Sequence, residues 1–410
     1  MWGTTQWRGG SVVALAAGVV LVGLAARALA AAPVSAQGFP PKLHTEGRYI
    51  KDTSGKVVIL RGGNRPGFSD LPDGWWDLPG GGLYAGLGKW DPDAVKANLD
   101  EMKRWGCNLL RLHTCVQWWK DNPSTYKDKD IDVVYPEPFR QMYKDVIGWA
   151  GERGIYVIVE FYNMTRPSPQ DTLPWPPHSN SSDVIASRED FLRLWEGFAR
   201  ELSPYPNVLF EFYNEPHGTP AQEAEWMAFT QDAINAIRPF ADNIIVVQWG
   251  YGCWVNLEYP PPGNPAGTLD WIEKYPLKGD NLLYSTHLYR NSGGGGSFAM
   301  RTNGGTVRVW ERDDLLKALR IVGVEHVVKD LNKPLIIGEV GANMRAQGPD
   351  LDHELAWFKN ILQIFNEWGI GYAAWAWDPE KHLAHGMIKD SSSFAGPNAA
   401  GQIFMDAVKQ

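Results

Sequence analysis

Short apolar runs recur along most of the chain, and most are followed by a longer stretch whose apolar positions return every three to four residues. Runs rich in Val, Ile, Leu and aromatic side chains predict buried strands, and the longer amphipathic stretches predict helices. The predicted strands are Cys107–His113, Gly154–Tyr162, Val208–Tyr213, Asn243–Trp249, Asn281–His287, Pro334–Gly338 and Gly371–Trp375. An eighth, the first in the chain, follows a small hairpin of Arg48–Asp52 and Lys56–Arg61 and ends at Gly62-Gly63-Asn64. Predicted helices run from Asp91-Pro92 to Trp105, then over Tyr135–Glu152, Arg188–Leu202, Pro220–Ile237, Asp313–Lys329, His353–Trp368 and Gly401–Val408. Alternating short apolar strands and helices argue a parallel sheet. Eight such units without a linker or low-complexity spacer argue an α/β fold of the closed (β/α)8 TIM-barrel type, with a short N-terminal hairpin over its bottom.

The first stretch stands apart. Arg8 precedes an apolar run, Ser11 to Ala26, no acidic residue occurs before Glu46, and Ala28-Leu29-Ala30 and Val34-Ser35-Ala36 are small-residue cleavage sites. This is the pattern of a secretory signal over residues 1–36, followed by one barrel domain over 37–410. The alternative is an uncleaved anchor, but the run between Arg8 and Arg27 is short against the roughly 20 residues a span needs, so the expectation is cleavage and an extracellular product.

The mature chain would then be free of the membrane.

Composition narrows the partners. Loss of the signal's two arginines moves the net charge from −8 to about −10, a poor match for nucleic acid. The three cysteines make no disulfide framework. Cys107 and Cys115, about 26 Å apart along an extended segment, should not pair with each other, while Cys115 with Cys253, or buried thiols, both remain open. Tryptophan is unusually frequent, with 20 residues, and Trp75, Trp76, Trp175, Trp249 and Trp254 fall in Gly/Pro-rich loops. Loop tryptophans suit stacking on the apolar faces of sugar rings.

The chemistry gathers where the strands end. Asn64, Arg111, His113, Tyr162, Asn163, Asn214, Glu215, His287, Tyr289, Glu339 and Trp375 all stand at such positions, and a barrel brings those ends to one face. Thr219, Pro220 and Gln222 supply an N-cap, a first-turn proline and a capping-box partner, so Asn214-Glu215-Pro216 lies between a strand and a helix start. Glu215 closes the fourth strand and Glu339 the seventh, across the barrel mouth from each other. Two carboxylates facing over a tryptophan-lined cleft suit glycoside hydrolysis, one protonated to donate to the leaving oxygen and the other ionised. Asn214 can hydrogen-bond a sugar 2-hydroxyl, Arg111 and Tyr289 can hold Glu339 ionised, and His287 can tune Glu215. Trp377 is a further candidate for substrate contact. Glu160 and Glu211 lie inside strands and read as buried support. His382 and His385 lack metal-ligand spacing, and no metal or cofactor is expected.

Together, Leu60-Arg61-Gly62-Gly63-Asn64 on strand one, Arg111 on strand two, Asn214-Glu215-Pro216 on strand four, His287-Leu288-Tyr289 on strand six, Glu339 on strand seven and Trp375 on strand eight resemble the family 5 glycoside hydrolases. The resemblance covers nearly the whole chain after the signal. It implies Glu215 as acid/base and Glu339 as nucleophile, with retention of configuration. Many members end strand three with an active-site histidine, where this chain has Glu160-Phe161-Tyr162-Asn163; His113, on the same strand face as Arg111, is the residue placed to compensate. The resulting expectation is a secreted, monomeric endo-β-1,4-glucanase acting on a β-linked polysaccharide. Mannan or glucomannan is the alternative substrate, and a carbohydrate-binding barrel without catalysis the alternative class.

Overall fold

The computed structural model describes residues 38–65, 92–122, 124–128, 131–134, 138–163, 172–179, 184–250, 269–290, 299–302, 305–308, 311–380, 383–390 and 395–410. The expected signal, 1–36, lies outside them. Eight strands close into a barrel: β1 (Arg61–Arg65), β2 (Leu109–Cys115), β3 (Tyr156–Asn163), β4 (Val208–Glu211), β5 (Ile245–Gln248), β6 (Leu282–Tyr289), β7 (Leu335–Gly341) and β8 (Gly371–Ala374). Each pairs in parallel with its neighbours in sequence, and β8 returns to β1 through Tyr372↔Arg61, Ala373↔Gly62 and Ala374↔Gly63. The main helices between and after them are α1 (Pro92–Trp105), α2 (Phe139–Glu152), α3 (Arg188–Leu202), α4 (Pro220–Ile237), α5 (Trp271–Lys274), α6 (Arg312–Val322), α7 (Pro349–Trp368) and α8 (Ala399–Val408), with one-to-two-turn helices at Val116–Asp121 and Val324–Lys329.

The period of two along each strand separates two cores. Leu60, Leu109, Ile158, Leu209, Val246, Leu283, Ile336 and Ala373 point inward and form one apolar cluster. Their neighbours, such as Leu110, Val157, Val208, Ile245, Leu335 and Tyr372, point outward and pack with the helices in a second, larger cluster. Leu43 and Ile50 of the N-terminal hairpin join the inner cluster, so the hairpin covers the end of the barrel where the strands begin.

Local chemistry corrects several predicted bounds. The hairpin pairs Leu43–Glu46 with Tyr49–Asp52, because Gly47 at φ 56 makes a two-residue turn with Arg48. The second predicted arm lies against it without forming a strand: Val57 bridges to Lys51, the Val58 N–H donates to the Ile50 carbonyl at 2.9 Å and the Asp52 N–H to the Lys56 carbonyl at 2.9 Å. The first barrel strand begins at Arg61 and runs through Gly62 and Gly63, where a strand end is predicted. A Cβ on Gly62 would lie 1.7 Å from the Leu109 carbonyl oxygen, so glycine here marks the close approach of β1 to β2. Gly323, at φ 92, splits the predicted helix Asp313–Lys329 into α6 and a short helix, Val324–Lys329. The capping box of Thr219 and Gln222 opens α4 with Pro220 in the first turn.

Tryptophan serves the core more than the sequence suggests. Trp105, Trp119, Trp175, Trp195, Trp226, Trp271, Trp357 and Trp377 are fully buried. Trp175, predicted as a loop platform, stacks on Trp226 at 5.9 Å and donates its indole N–H to Glu225 at 2.6 Å. Trp249 is also buried, and Trp75, Trp76 and Trp254 lie outside the described residues. Cys107 and Cys115 are buried thiols, and Cys253 lies outside the described residues. Among the described residues no helix is long and apolar enough to cross a membrane.

The β1–β2 contact yields a direct stability test. Gly62→Ala should cost about 1–3 kcal/mol, because the obstacle is backbone rather than a yielding side chain. Gly148→Ala in α2, whose added methyl meets nothing within 4 Å, is the control and should be neutral or stabilising. Urea unfolding of the two variants reads the difference; equal stability would show that β1 can withdraw from β2.

Candidate active site

Above the inner apolar layer the same inward parity turns polar. Two residues beyond Leu109 comes Arg111, beyond Ile158 Glu160, beyond Leu209 Glu211, beyond Val246 Gln248, and beyond Leu283 Ser285 and then His287. All are buried. Strand β7 breaks this parity. Leu335 and Ile337 face outward, so Glu339 would follow them outward in a regular strand. The pairing with β6 shifts between Thr286 and His287, and that with β8 shifts between Ile337 and Val340. This irregularity sets Glu339 opposite His287 and turns its carboxylate into the barrel. Gly338 makes room, since a Cβ there would lie 2.8 Å from His287 Nε2 and 2.7 Å from Ser285 Oγ.

Arg111 is the hub. Its Nε and Nη2 donate to the two oxygens of Glu211 at 2.7 and 2.9 Å. Nη1 donates to Asn64 Oδ1 at 3.0 Å and Glu339 Oε1 at 2.8 Å, and Nη2 also donates to Asn214 Oδ1 at 3.0 Å. All five guanidinium N–H groups are therefore used, as a fully buried arginine requires. Burial disfavours its charge, but Glu211, Glu160 and Glu339 outweigh that and hold the guanidinium well above its ordinary pKa. The other oxygen of Glu339 accepts from the Tyr289 hydroxyl at 2.5 Å. Both Glu339 oxygens thus act as acceptors, the behaviour of an ionised carboxylate.

Glu215 leaves β4 in the left-handed region, at φ 50. Its backbone N–H donates to Gln248 Oε1 at 3.2 Å, and its Oε1 lies 2.7 Å from His287 Nδ1. Its side chain is 27% exposed, against 6% for Glu339, so it is the carboxyl open to solvent. Burial pushes Glu215 up to about 7, against the pull of Arg111 and His217. His287, pushed down to about 4 by burial, is neutral at that pH. Its Nδ1 is also 3.4 Å from Glu339 Oε2, so one imidazole stands between the two carboxyls.

Beneath this pair, Trp375 meets His113 edge-on at 5.3 Å between ring centres. His113 touches Glu160 through Nδ1 and Asn64 Oδ1 through Nε2 at 3.2 Å. Trp377, a candidate for substrate contact, is instead a core residue: it is fully buried, donates to Asn98 Oδ1 at 3.0 Å and packs edge-on against Trp105 at 4.5 Å. The side chains of Tyr162 and Asn163 lie outside the described residues, as does His382. Gln248 went unremarked in the sequence although it has the inward parity of Glu211; a polar residue two positions beyond an inward valine was the available signal. His385 packs against the Tyr289 ring at 5.1 Å. Glu215, His287 and Glu339 offer ligand atoms within 4.8 Å of one another. One oxygen of Glu339 is already held by the Arg111 guanidinium, which repels a cation, so the trio fits proton transfer better than metal binding.

The family model for cellulase (glycosyl hydrolase family 5) matches residues 78–381. The chain belongs to glycosyl hydrolase family 5. Among its relatives, an endoglucanase from Clostridium saccharobutylicum is 22% identical over 264 residues, covering 63% of this chain and 45% of that protein. Endoglucanase CelA from Streptomyces lividans is 24% identical over 286 residues, covering 68% of this chain and 48% of that protein. The family 5 chain thus spans about half the length of these curated relatives. Among solved structures, the cellotetraose complex of an endocellulase from Pyrococcus horikoshii aligns with a TM-score of 0.66 at 19% identity, covering 91% of this chain and 100% of that one. At that identity the likeness shows a shared barrel fold.

Proposed function

We propose that this family 5 chain is a secreted, retaining endo-β-1,4-glucanase. The observation that carries the reading is the spacing of Glu215 and Glu339, whose nearest oxygens lie within 4.8 Å. Retaining glycosidases hold their carboxyls about 5–5.5 Å apart, whereas inverting ones leave roughly 6.5–9.5 Å for a water. Glu215, protonated up to about pH 7, donates its proton to the glycosidic oxygen as that C–O bond breaks. Glu339, held by Arg111 and Tyr289, attacks the anomeric carbon and forms a glycosyl ester. Glu215 then takes a proton from water, which attacks the same carbon and releases Glu339. Asn214 has its Oδ1 engaged by Arg111, which leaves its amide N–H to the sugar 2-hydroxyl.

The endoglucanases among the relatives favour β-glucan as the substrate. The Arg8 and Ser11–Ala26 pattern supports export. The test is reducing-sugar release from carboxymethylcellulose, mixed-linkage glucan, glucomannan, galactomannan and xylan, with the anomer of the first product read by NMR. β-Product from the glucans is expected. Activity confined to mannans would move the substrate, α-product would overturn retention, and sugar binding without hydrolysis would overturn the enzyme reading.

A further inference from the structure

The hydrogen-bond pattern under the two carboxyls locates a proton. Asn64 Nδ2 donates to the carbonyls of Gly338 at 3.0 Å, Ala373 at 3.1 Å and Ala374 at 3.3 Å. Its Oδ1 therefore faces the other way, toward Arg111 Nη1 and His113 Nε2. An amide oxygen only accepts, so His113 Nε2 carries a hydrogen. A neutral imidazole protonated there has a bare Nδ1, and that atom touches Glu160 Oε1. A bare nitrogen against a carboxylate oxygen would set lone pair against lone pair, so a proton lies between them. It belongs either to Glu160 or to an imidazolium. Both residues are fully buried, and the guanidinium of Arg111 lies 3.8 Å from Glu160 Oε1. A second cation on His113 would be buried beside that guanidinium, whereas a neutral acid and a neutral imidazole bury no charge.

We infer that Glu160 is a positioning acid: its carboxylic O–H donates to His113 Nδ1, fixes the imidazole with Nε2–H on Asn64, and so sets the Asn64–Arg111 pair that holds Glu339. Burial pushes in the same direction, raising Glu160 to about 8 and lowering His113 to about 3. The inference explains why this chain works without a histidine at Glu160-Phe161-Tyr162-Asn163: the imidazole comes from β2 and its tautomer from β3. His113 also meets the edge of Trp375, so the same proton orients the aromatic floor of the site. The catalytic consequence rests on the proposed hydrolysis; the position of the proton does not.

The test uses the full chain and two variants, Glu160→Gln and Glu160→Leu. ¹⁵N NMR of the wild-type protein, with the His113 signals identified by their loss in His113→Gln, should show an unprotonated Nδ1 and a protonated Nε2 at neutral pH. The glutamine amide can still donate to Nδ1, so Glu160→Gln should keep that signature and a kcat on soluble β-glucan within about 3-fold of wild type. Glu160→Leu should lose the signature and roughly 10²-fold in kcat, with KM little changed. An imidazolium or an Nδ1–H tautomer in the wild type would overturn the inference. So would a folded Glu160→Gln as impaired as Glu160→Leu, which would mean that an ionised carboxylate is required, or equal activity in all three proteins. Should Glu160→Leu not fold, or the chain hydrolyse none of the glycans, the spectra of the wild type and Glu160→Gln still decide where the proton sits.

Discussion

Glu339→Gln should lose at least about 10⁴-fold in kcat while continuing to bind β-glucan oligosaccharides. Glutamine keeps the shape, and its carbonyl can still accept from Arg111 Nη1, so the hub of Arg111, Asn64 and Glu211 stays assembled. What disappears is the negative oxygen that, in the proposed mechanism, forms the bond to the anomeric carbon. Turnover on mixed-linkage glucan, with calorimetric binding of a cello-oligosaccharide in parallel, separates the two effects. A residual rate within about tenfold of wild type would place the nucleophile elsewhere.

Glu215→Ala should fail differently. Its loss depends on how much help the leaving oxygen needs: roughly 10²–10⁴-fold on unactivated glucan, and far less for the first step on a dinitrophenyl glycoside. Without its base, the variant should accumulate glycosyl-enzyme, and added azide should resolve it to a β-glycosyl azide. The pH profile gives the complementary reading. Burial raises Glu215 to about 7, and the proposed mechanism begins from its protonated form. As pH rises through about 7 that form is depleted, so kcat/KM of the wild type should fall on that limb, and the fall should be absent in Glu215→Ala. A wild-type profile flat to pH 9 would remove Glu215 from the role of acid.

Most of the barrel was legible because its strands are short apolar runs of period two and its helices carry their own start signals, as at Thr219, Pro220 and Gln222. The clustering of Arg111, Asn214, Glu215, His287, Tyr289 and Glu339 followed from topology, since a closed barrel leaves its strand ends one place to go. Close packing was harder to read. Gly62 looks like a terminator in sequence, and its real constraint is a carbonyl on the next strand. Trp175 and Trp377 lie among loop-like residues, yet their indole N–H groups find buried acceptors in Glu225 and Asn98. The inward turn of Glu339 depends on a pairing irregularity whose one sign in the sequence is Gly338, a glycine inside an apolar strand.

The bonds of Asn64 also give the molecule a timetable. Its amide reaches carbonyls 274 to 310 residues further along the chain, on β7 and β8. During synthesis Asn64 and Arg111 leave the ribosome well before the seam they need, which is made by segments 274 to 310 residues beyond Asn64. Until Gly371–Ala374 arrives, Asn64 has no carbonyls from β8 to hold it, and Arg111 lacks the anchored partner that aims it at Glu339. The proposed hydrolysis should therefore be absent from nascent chains that stop short of Gly371–Ala374.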